Sequence, residues 1–180
     1  TVTFWMKPMG SQTGILEAAF MWYGPAGGTS TTATRPGYWA ITGKDNNASG
    51  DLQFSFNDRL GSRNLGRAPG LAPEATDPDT NRKGWIFVAY QISPDGGEEV
   101  QNLFLGTFPG GTPTLQACGN KTNNVWDTDI STGQTFFIGN NGGNAKWAHA
   151  AYDDMRMYNR KLTNAELVQL LKESPYPEPL

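Results

Sequence analysis

The sequence has very few residues of the kinds that usually carry redox, metal or nucleophilic chemistry. Cys118 is its one cysteine and His149 its one histidine, so neither an intramolecular disulfide nor a multi-cysteine metal site can form. A lone histidine is more often a hydrogen-bonded structural residue than a catalytic base. The nucleophile elbow, the P-loop and the HExxH motif are also missing from the sequence.

Charge and long apolar runs are scarce as well. Charged residues make up 17% of the sequence, and the formal net charge is −3. There is no basic stripe for nucleic acid and no polybasic segment for an anionic membrane. No stretch approaches the length of about 18 apolar residues that spans a bilayer. The expected partners therefore include neither nucleic acid nor an inserted membrane.

Glycine, proline, uncharged polar residues and aromatic residues are abundant. The 180 residues include 22 glycines, 12 prolines and six tryptophans. This length suits one domain with a sizeable core, and so many turn formers favour many short strands. A composition low in lysine and rich in Asn, Thr and Gly is typical of extracellular or cell-surface proteins, which is the predicted location.

Segments of alternating apolar and polar residues recur along most of the chain and predict strands. In the first of them, Val2, Phe4 and Met6 share one face and Trp5 lies on the other. Residues 85–92 and 99–107 flank a strong turn signal and predict a hairpin, whereas residues 57–83 are expected to be irregular. The predicted strands are 1–7, 14–22, 37–42, 52–56, 85–92, 99–107, 114–117, 135–139 and 150–159.

One helix is predicted near the end of the sequence. Thr163 and Glu166 have the spacing of a capping box, and leucines at 162, 167, 170 and 171 follow at helical spacing. The helix should end before Pro175. We expect one domain over residues 1–174, then a tail or linker at 175–180, and an all-β class with a single short helix.

Five segments in the same order resemble the laminin-G-like domains of the concanavalin A-like lectin and glucanase group. The clearest is YDDMRMYNRKL at 152–162, followed by the helix start TNAEL. The others are TVTFWMKP at 1–8, WIFVA at 85–89, QNLFLG at 101–106 and FFIG at 136–139. The resemblance implies a two-sheet antiparallel jelly-roll β-sandwich with one short C-terminal helix.

The resemblance also implies that the first and last strands pair. Trp5 and Lys7 would then lie near Arg156 and Tyr158 on an outward face that the helix partly covers, so that Trp5 is structural. The expected inward residues are Val2, Phe4, Met6, Met155 and Met157. Two features depart from the family: no strand precedes the Phe4-Trp5 motif, and no histidine follows Trp85. The first departure predicts an excerpt of a longer protein, or an edge that another segment completes.

The acidic residues do not follow a catalytic pattern of this fold. Glycoside hydrolysis needs two carboxylates about 5–10 Å apart, and the E-x-D-x-x-E run of the related β-glucanases is missing. Gln91-Ile92-Ser93 resembles the Q-I-H motif of related alginate lyases, with serine in place of histidine. A polysaccharide-degrading enzyme, either a lyase or a glycoside hydrolase, is therefore kept as a second alternative.

Asp153 is the predicted metal ligand, for a structural calcium ion. Relatives of this fold use an acid at the start of the closing strand for calcium, and carboxylate oxygens are ligands that calcium prefers. Strict alternation places Asp154 with Arg156 and Tyr158, where an ion pair with Arg156 is the simpler explanation. The same alternation places Asp153 on the side of Met155 and Met157.

Aromatic residues beside polar loops predict a carbohydrate site. Sugars present hydroxyl groups and weakly apolar C–H faces, which aromatic rings and amide or guanidinium groups can contact together. The predicted ligand-binding residues are Trp22, Tyr23, Trp39, Asn57, Arg59, Trp126, Asn140 and Asn141. Core packing is the alternative for the tryptophans and turn formation the alternative for the asparagines.

The predicted function is that of a non-catalytic carbohydrate-binding or adhesion module, with a polysaccharide or glycan as its partner. The first alternative is a structural or assembly domain that contacts other protein chains or domains through an open sheet edge. Fold resemblance carries most of the weight in this choice.

Overall fold

A computed structural model describes the strands, the helix and a few adjoining residues of the chain. The described residues are 1–8, 18–24, 39–46, 51–58, 61–68, 85–95, 98–107, 112–123, 135–139 and 150–173. Side chains are described for residues 1–7, 85–91, 102–106, 112–117, 135–139 and 150–173.

The described residues form ten strands and one short helix, so the all-β class is confirmed. The first five strands are β1 Val2–Pro8, β2 Ala18–Gly24, β3 Trp39–Asn46, β4 Asp51–Asp58 and β5 Gly61–Ala68. The other five are β6 Ile86–Asp95, β7 Glu98–Thr107, β8 Thr114–Asn123, β9 Thr135–Ile138 and β10 Ala150–Met157. The helix α1 is Asn164–Lys172. No helix within these described ranges is long and apolar enough to cross a membrane.

The strands are arranged in two five-stranded antiparallel sheets. The first sheet has the order β10-β1-β6-β7-β8, and the second has the order β5-β4-β3-β2-β9. The predicted pairing of the two end strands is confirmed, because Val2 lies opposite Met157 and Thr3 opposite Arg156. The predicted hairpin is also confirmed, since β6 and β7 pair along their whole length.

Strand β5 was not predicted, because its residues fall in the stretch expected to be irregular. Its sequence GSRNLGRA has no apolar alternation and contains two glycines. It pairs with β4 and has no second partner in the described sheet. An edge strand that relies on backbone hydrogen bonds with one neighbour needs few apolar side chains, and so leaves little periodicity in the sequence.

One face of the first sheet packs against helix α1. Trp5 is fully buried there with Phe87, their ring centroids 5.5 Å apart, and with Leu167 and Leu171 of the helix. Ala89 and Leu162 complete the buried cluster, and Tyr158 packs at its border. The structural role predicted for Trp5, beneath the helix, is therefore confirmed.

The opposite face of the first sheet is also buried. Its apolar side chains alternate with those beneath the helix along β1, β6 and β7 and are at most 3% exposed. They are Phe4, Met6, Ile86, Val88, Tyr90, Leu103 and Leu105. Strands buried on both faces are apolar at nearly every position, which explains the continuous run IFVAY at the start of β6.

The predicted capping box begins α1. The Thr163 hydroxyl accepts a hydrogen bond from the Glu166 amide at 3.2 Å, and a Glu166 carboxylate oxygen accepts one from the Thr163 amide at 2.7 Å. Arg160 pairs with the same carboxylate at 2.7 Å. The helix ends at Lys172, before Pro175 as predicted.

The cap of α1 should weaken in acid. The hydrogen bond from Arg160, followed by those from Thr163, lowers the pKa of Glu166 from 4.5 to about 2. A lowered folded-state pKa contributes stability above pH 4.5, and this contribution disappears as the pH falls towards 2. We expect Glu166→Gln to melt below the wild type at pH 7 and the difference to close between pH 4.5 and 2. Thermal unfolding at each pH, with Lys172→Gln as the control variant, measures this. A difference in melting temperature that stays constant from pH 7 to pH 2 would contradict this expectation.

Two polar side chains on or next to the first sheet form hydrogen bonds with the segment before α1. The Thr1 hydroxyl donates to the Arg160 carbonyl at 2.7 Å and accepts from the Leu162 amide at 3.0 Å. The Gln91 amide, 1% exposed, donates to the Leu162 carbonyl at 2.6 Å and its oxygen accepts from Asn102 at 3.5 Å. Gln91, considered above for its likeness to a lyase motif, therefore lies in the packing between sheet and helix.

Candidate functional site

The second sheet is amphipathic when its register is combined with its sequence. In an antiparallel sheet, directly paired residues share a face, and neighbours along a strand alternate between faces. One face carries the pair Ile41–Phe56 and the pair Gly43–Phe54, whereas the other carries Thr42–Ser55 and Lys44–Gln53. Sheets of this kind pack the apolar face on the core and leave the polar face to solvent.

The polar side of this sheet is the candidate site, and we call it the polar face. Its positions run across four strands and include one tryptophan, small residues, uncharged hydrogen-bonding residues and two cations. They are Trp22, Ala40, Thr42, Lys44, Gln53, Ser55, Asn57, Ser62, Asn64 and Arg67.

One row of the polar face brings predicted ligand residues together. Trp22 pairs with Ala40, Ala40 with Asn57, and Asn57 with Ser62. On the other side, Trp22 pairs with Phe137 of the edge strand β9, and the Phe137 side chain is half-buried. With strands about 4.8 Å apart, this row of five positions is roughly 19 Å long. It starts with two aromatic residues and ends with an amide and a hydroxyl.

Tyr23 and Trp39 occupy the next row, on the apolar side of the sheet. Tyr23 pairs with Trp39, and Trp39 pairs with Asp58. Since one step along a strand changes the face, these two aromatic positions do not share a face with Trp22 and Asn57. The register therefore divides the predicted aromatic residues between the two faces of the sheet.

The remaining predicted ligand residues, Arg59, Trp126, Asn140 and Asn141, lie outside the described residues, as does His149. Their flanking strands show where each segment attaches. Asp58 at the end of β4 and Thr135 at the start of β9 both lie at the end of the sheet that holds Trp39 and Gly24. Ile138, after which the chain continues to Asn140, lies farther along the sheet, opposite Met21.

Sequence reasoning missed Phe137 and Ser62 as members of this row. Phe137 was noted only as part of a family-like strand, and Ser62 lies in a strand that was not predicted. Neither residue has a local signal for ligand binding, because each gains its place through pairing with a strand distant in sequence. Only the strand register shows that Phe137 and Ser62 belong to this row.

Asp153 does not lie where strict alternation placed it. A bulge interrupts β10, so that Trp5 pairs with Asp153 while Thr3 pairs with Arg156. The extra residue reverses the alternation, and Asp153 shares the face of Trp5 rather than that of Met155. The same region corrects the position of Met157, predicted to point inward but 56% exposed at the end of this edge strand.

Asp154 forms the bulge and pairs with Arg156. Its φ of 45° is left-handed, a conformation that aspartate adopts more readily than most residues. The Arg156 Nε and Nη2 atoms contact the two carboxylate oxygens of Asp154 at 2.8 and 2.9 Å, which confirms the predicted ion pair. The Asp153 carboxylate accepts a hydrogen bond from the Asp154 amide at 2.7 Å.

This arrangement constrains the expected calcium site. Asp153 is exposed and could offer a carboxylate oxygen, but the Asp154 carboxylate is engaged by a guanidinium group. Among the residues described, no three His, Cys, Asp or Glu side chains are grouped so as to hold a metal ion. A calcium ion at Asp153 would therefore need further oxygen ligands from backbone carbonyls, water or other segments.

The bulge predicts a difference between two substitutions of Asp154. Asp154→Ala and Asp154→Gly both remove the ion pair, but only alanine keeps a Cβ that opposes positive φ. We expect the alanine variant to be less stable than the glycine variant by about 1 kcal/mol. Chemical denaturation of both variants measures the difference. Equal stabilities would argue against the left-handed conformation.

The two sheets approach each other at the edge that contains β9 and β10. The ring of Tyr152 in β10 lies 3.5 Å from where a Cβ at Gly139, next to β9, would be. Tyr152 also packs beside Phe4 at a centroid distance of 6.0 Å. Burial raises the pKa of the Tyr152 hydroxyl, which therefore stays protonated at physiological pH. It makes no hydrogen bond to another described residue.

A search of protein families, of curated proteins and of solved structures finds no match for this chain.

Proposed function

We propose that the two sheets form a jelly-roll sandwich, with the polar face as the outer surface of the second sheet. The first sheet has one face beneath α1 and a second face whose apolar side chains are at most 3% exposed. Contacts link the sheets at both edges, between Tyr152 and Gly139 on one side and between β5 and β8 on the other. These observations favour the apolar side of the second sheet as the surface that buries the helix-distant face of the first sheet.

The proposed function is non-catalytic carbohydrate binding at the polar face, as a binding or adhesion module of a secreted or cell-surface protein. The observation that carries it is the cross-strand row of Phe137, Trp22, Ala40 and Asn57. An aromatic pair offers a flat apolar surface to the C–H face of a sugar ring. Ala40, between Trp22 and Asn57 in the row, has only a methyl side chain. The Asn57 amide can both donate and accept hydrogen bonds.

The neighbouring positions on the polar face suit the same ligand. Thr42, Ser55 and Asn64 are cross-strand neighbours and offer hydroxyl and amide groups. Sugar hydroxyls need such partners because each polar group that loses water on binding must regain a hydrogen bond. A surface of small and amide-bearing residues beside an aromatic pair supplies them with little side-chain entropy to lose.

Replacement of Trp22 tests the proposal. We expect the wild-type chain to bind one class of glycan on an array and Trp22→Ala to lose at least tenfold in affinity for it, because the apolar contact with the ring is removed. Asn57→Ala should weaken binding less. Titration calorimetry with the best array ligand measures both effects. Trp85→Ala is the matched control, since it removes an indole beside the helix, and it should retain the glycan affinity.

The same measurements decide between the proposed function and its alternatives. Retained affinity in Trp22→Ala would remove the polar face as the site. Arrays run with and without a chelator test the calcium ion proposed at Asp153. Hydrolysis or elimination products released from a bound polysaccharide would favour the enzyme alternative.

Assembly with other protein chains is a second candidate, and two exposed apolar side chains favour it. Ile138 is 45% exposed and Met157 is 56% exposed, and they lie on the edge strands β9 and β10. Edge strands can pair with another chain. The bulge at Asp154 opposes this, because bulges disrupt the regular ladder that an added strand would need. A stable oligomer that binds no glycan would favour assembly.

A further inference from the structure

A second row of the polar face carries two cations on either side of an amide. Lys44 of β3 pairs with Gln53 of β4, and Gln53 pairs with Arg67 of β5. Lys44 and Arg67 are thus two strands apart, which places their backbones roughly 10 Å from each other. All three side chains are hydrogen-bond donors, and two of them carry a positive charge.

This cationic row lies on the same face as the aromatic row, farther along the strands. Four residues separate Ala40 from Lys44 along β3, a distance of about 13 Å. The row of Thr42, Ser55 and Asn64 lies between them. A ligand that spans the polar face would therefore contact aromatic groups at one end, neutral hydrogen-bonding groups in the middle and cations at the other end.

The local charge differs from that of the chain as a whole. The chain has a formal net charge of −3, so its overall field does not attract anions. On the polar face, the described positions in the rows that hold Trp22, Thr42 and Lys44 include no acid. The adjoining pair Asn46–Asp51 contributes one carboxylate. Two positive charges and this one negative charge leave a formal net charge of +1 on the described positions at this end of the polar face.

We infer that the polar face takes an acidic oligosaccharide, with an aromatic contact at one end and a carboxylate at the row of Lys44, Gln53 and Arg67 at the other. This inference rests on the proposed function, and it adds the charge class of the glycan and its orientation across the sheet. Arginine binds carboxylates with two parallel hydrogen bonds, and lysine adds a point charge. A nucleic acid would need a longer basic stripe than this single row.

The experiment compares acidic and neutral forms of the same sugars. Tetrasaccharides of galacturonate, mannuronate and guluronate are each titrated beside their carboxyl-reduced neutral counterparts. The proteins are the wild type, Trp22→Ala and the double variant Lys44→Gln/Arg67→Gln. Lys161→Gln/Lys172→Gln is the control, because it removes two positive charges from exposed residues outside the site.

We expect the wild type to bind one acidic tetrasaccharide at least tenfold more tightly than its neutral counterpart. The double variant should bind the acidic and the neutral form with similar affinity, and its binding should no longer weaken as the salt concentration rises. Trp22→Ala should weaken both forms, and the control variant should behave as the wild type does.

Two different failures can be told apart. If neutral and acidic forms bind equally, or if the double variant keeps the preference, the cationic row has no role and carbohydrate binding at the aromatic row still stands. If the wild type binds neither these tetrasaccharides nor any glycan of the array, the proposed function fails and this inference fails with it. Circular dichroism spectra matching the wild type confirm that each variant is folded.

Discussion

We expect Trp5→Ala to lower the free energy of unfolding by about 3–5 kcal/mol, the usual cost of deleting a large aromatic side chain from a core. Trp5 is fully buried between the first sheet and helix α1, where it packs on Phe87 and on the helix leucines. A nine-residue helix is too short to be stable alone. Loss of the indole should therefore loosen α1 as well as leave a cavity.

Urea denaturation followed by circular dichroism measures this effect. Trp85→Ala is the matched control, because Trp85 packs at the border of the same cluster and is only partly buried, so its loss should cost less. A Trp5→Ala variant within about 1 kcal/mol of the wild type would contradict the packing described here.

The second large effect is expected at Gly106, which lies directly beneath α1. A Cβ at this position would be 2.9 Å from Leu171 Cδ1 and 3.0 Å from Phe87 Cβ. Neither neighbour can move freely, because both are buried in the cluster around Trp5. Overpacking of this kind costs about 1–3 kcal/mol, so we expect Gly106→Ala to destabilise the protein by that amount.

A double-mutant cycle separates overpacking from other causes. Leu171→Ala removes the two methyl groups that lie 2.9 and 3.1 Å from the added Cβ, although the Phe87 Cβ at 3.0 Å stays, and it costs stability through the cavity that it leaves. In the Leu171→Ala background, Gly106→Ala should therefore destabilise much less than in the wild type, or should stabilise by filling that cavity. If the changes in unfolding free energy of the two substitutions are strictly additive, contact with the helix is not the reason why glycine occupies position 106.

The parts of the fold that the sequence predicted are those with local signals. The capping box at Thr163 and Glu166 and the alternation of Val2, Phe4 and Met6 depend on residues close together in the chain. These patterns led to the helix and the first strand, whereas the position of Trp5 beneath the helix was implied by the family resemblance. The pairing of β1 with β10 also came from the family resemblance, since no local pattern joins residues so far apart.

The parts that were missed depend on pairing or on a backbone irregularity. Strand β5 has no apolar alternation and is held by β4 alone in the described sheet. The bulge at Asp154 adds one residue to β10, and this single residue moved Asp153 to the opposite face. Aspartate at a position that needs positive φ is too weak a signal to locate a bulge in advance.

The candidate site was likewise predicted only where its residues have a local signal. Trp22 and Asn57 were predicted because aromatic and amide residues at strand ends suit a sugar. Composition could not show that they share a face, or that Tyr23 and Trp39 share the other one. Lys44 and Arg67 lie 23 residues apart in the sequence, and only the register of β3, β4 and β5 makes them neighbours across Gln53.

The place of strand β1 inside the first sheet affects how the protein folds during synthesis on the ribosome. Strand β1 lies between β6 and β10, so its second edge stays open until β10 has been translated. At roughly 5–20 residues per second, the 54 residues between Asp95 and Ala150 take about 3–11 s. During that interval the nascent chain exposes an apolar strand edge of the kind that self-associates. Yields of folded protein should therefore rise when nascent chains are kept apart from one another or when a chaperone covers strand β1.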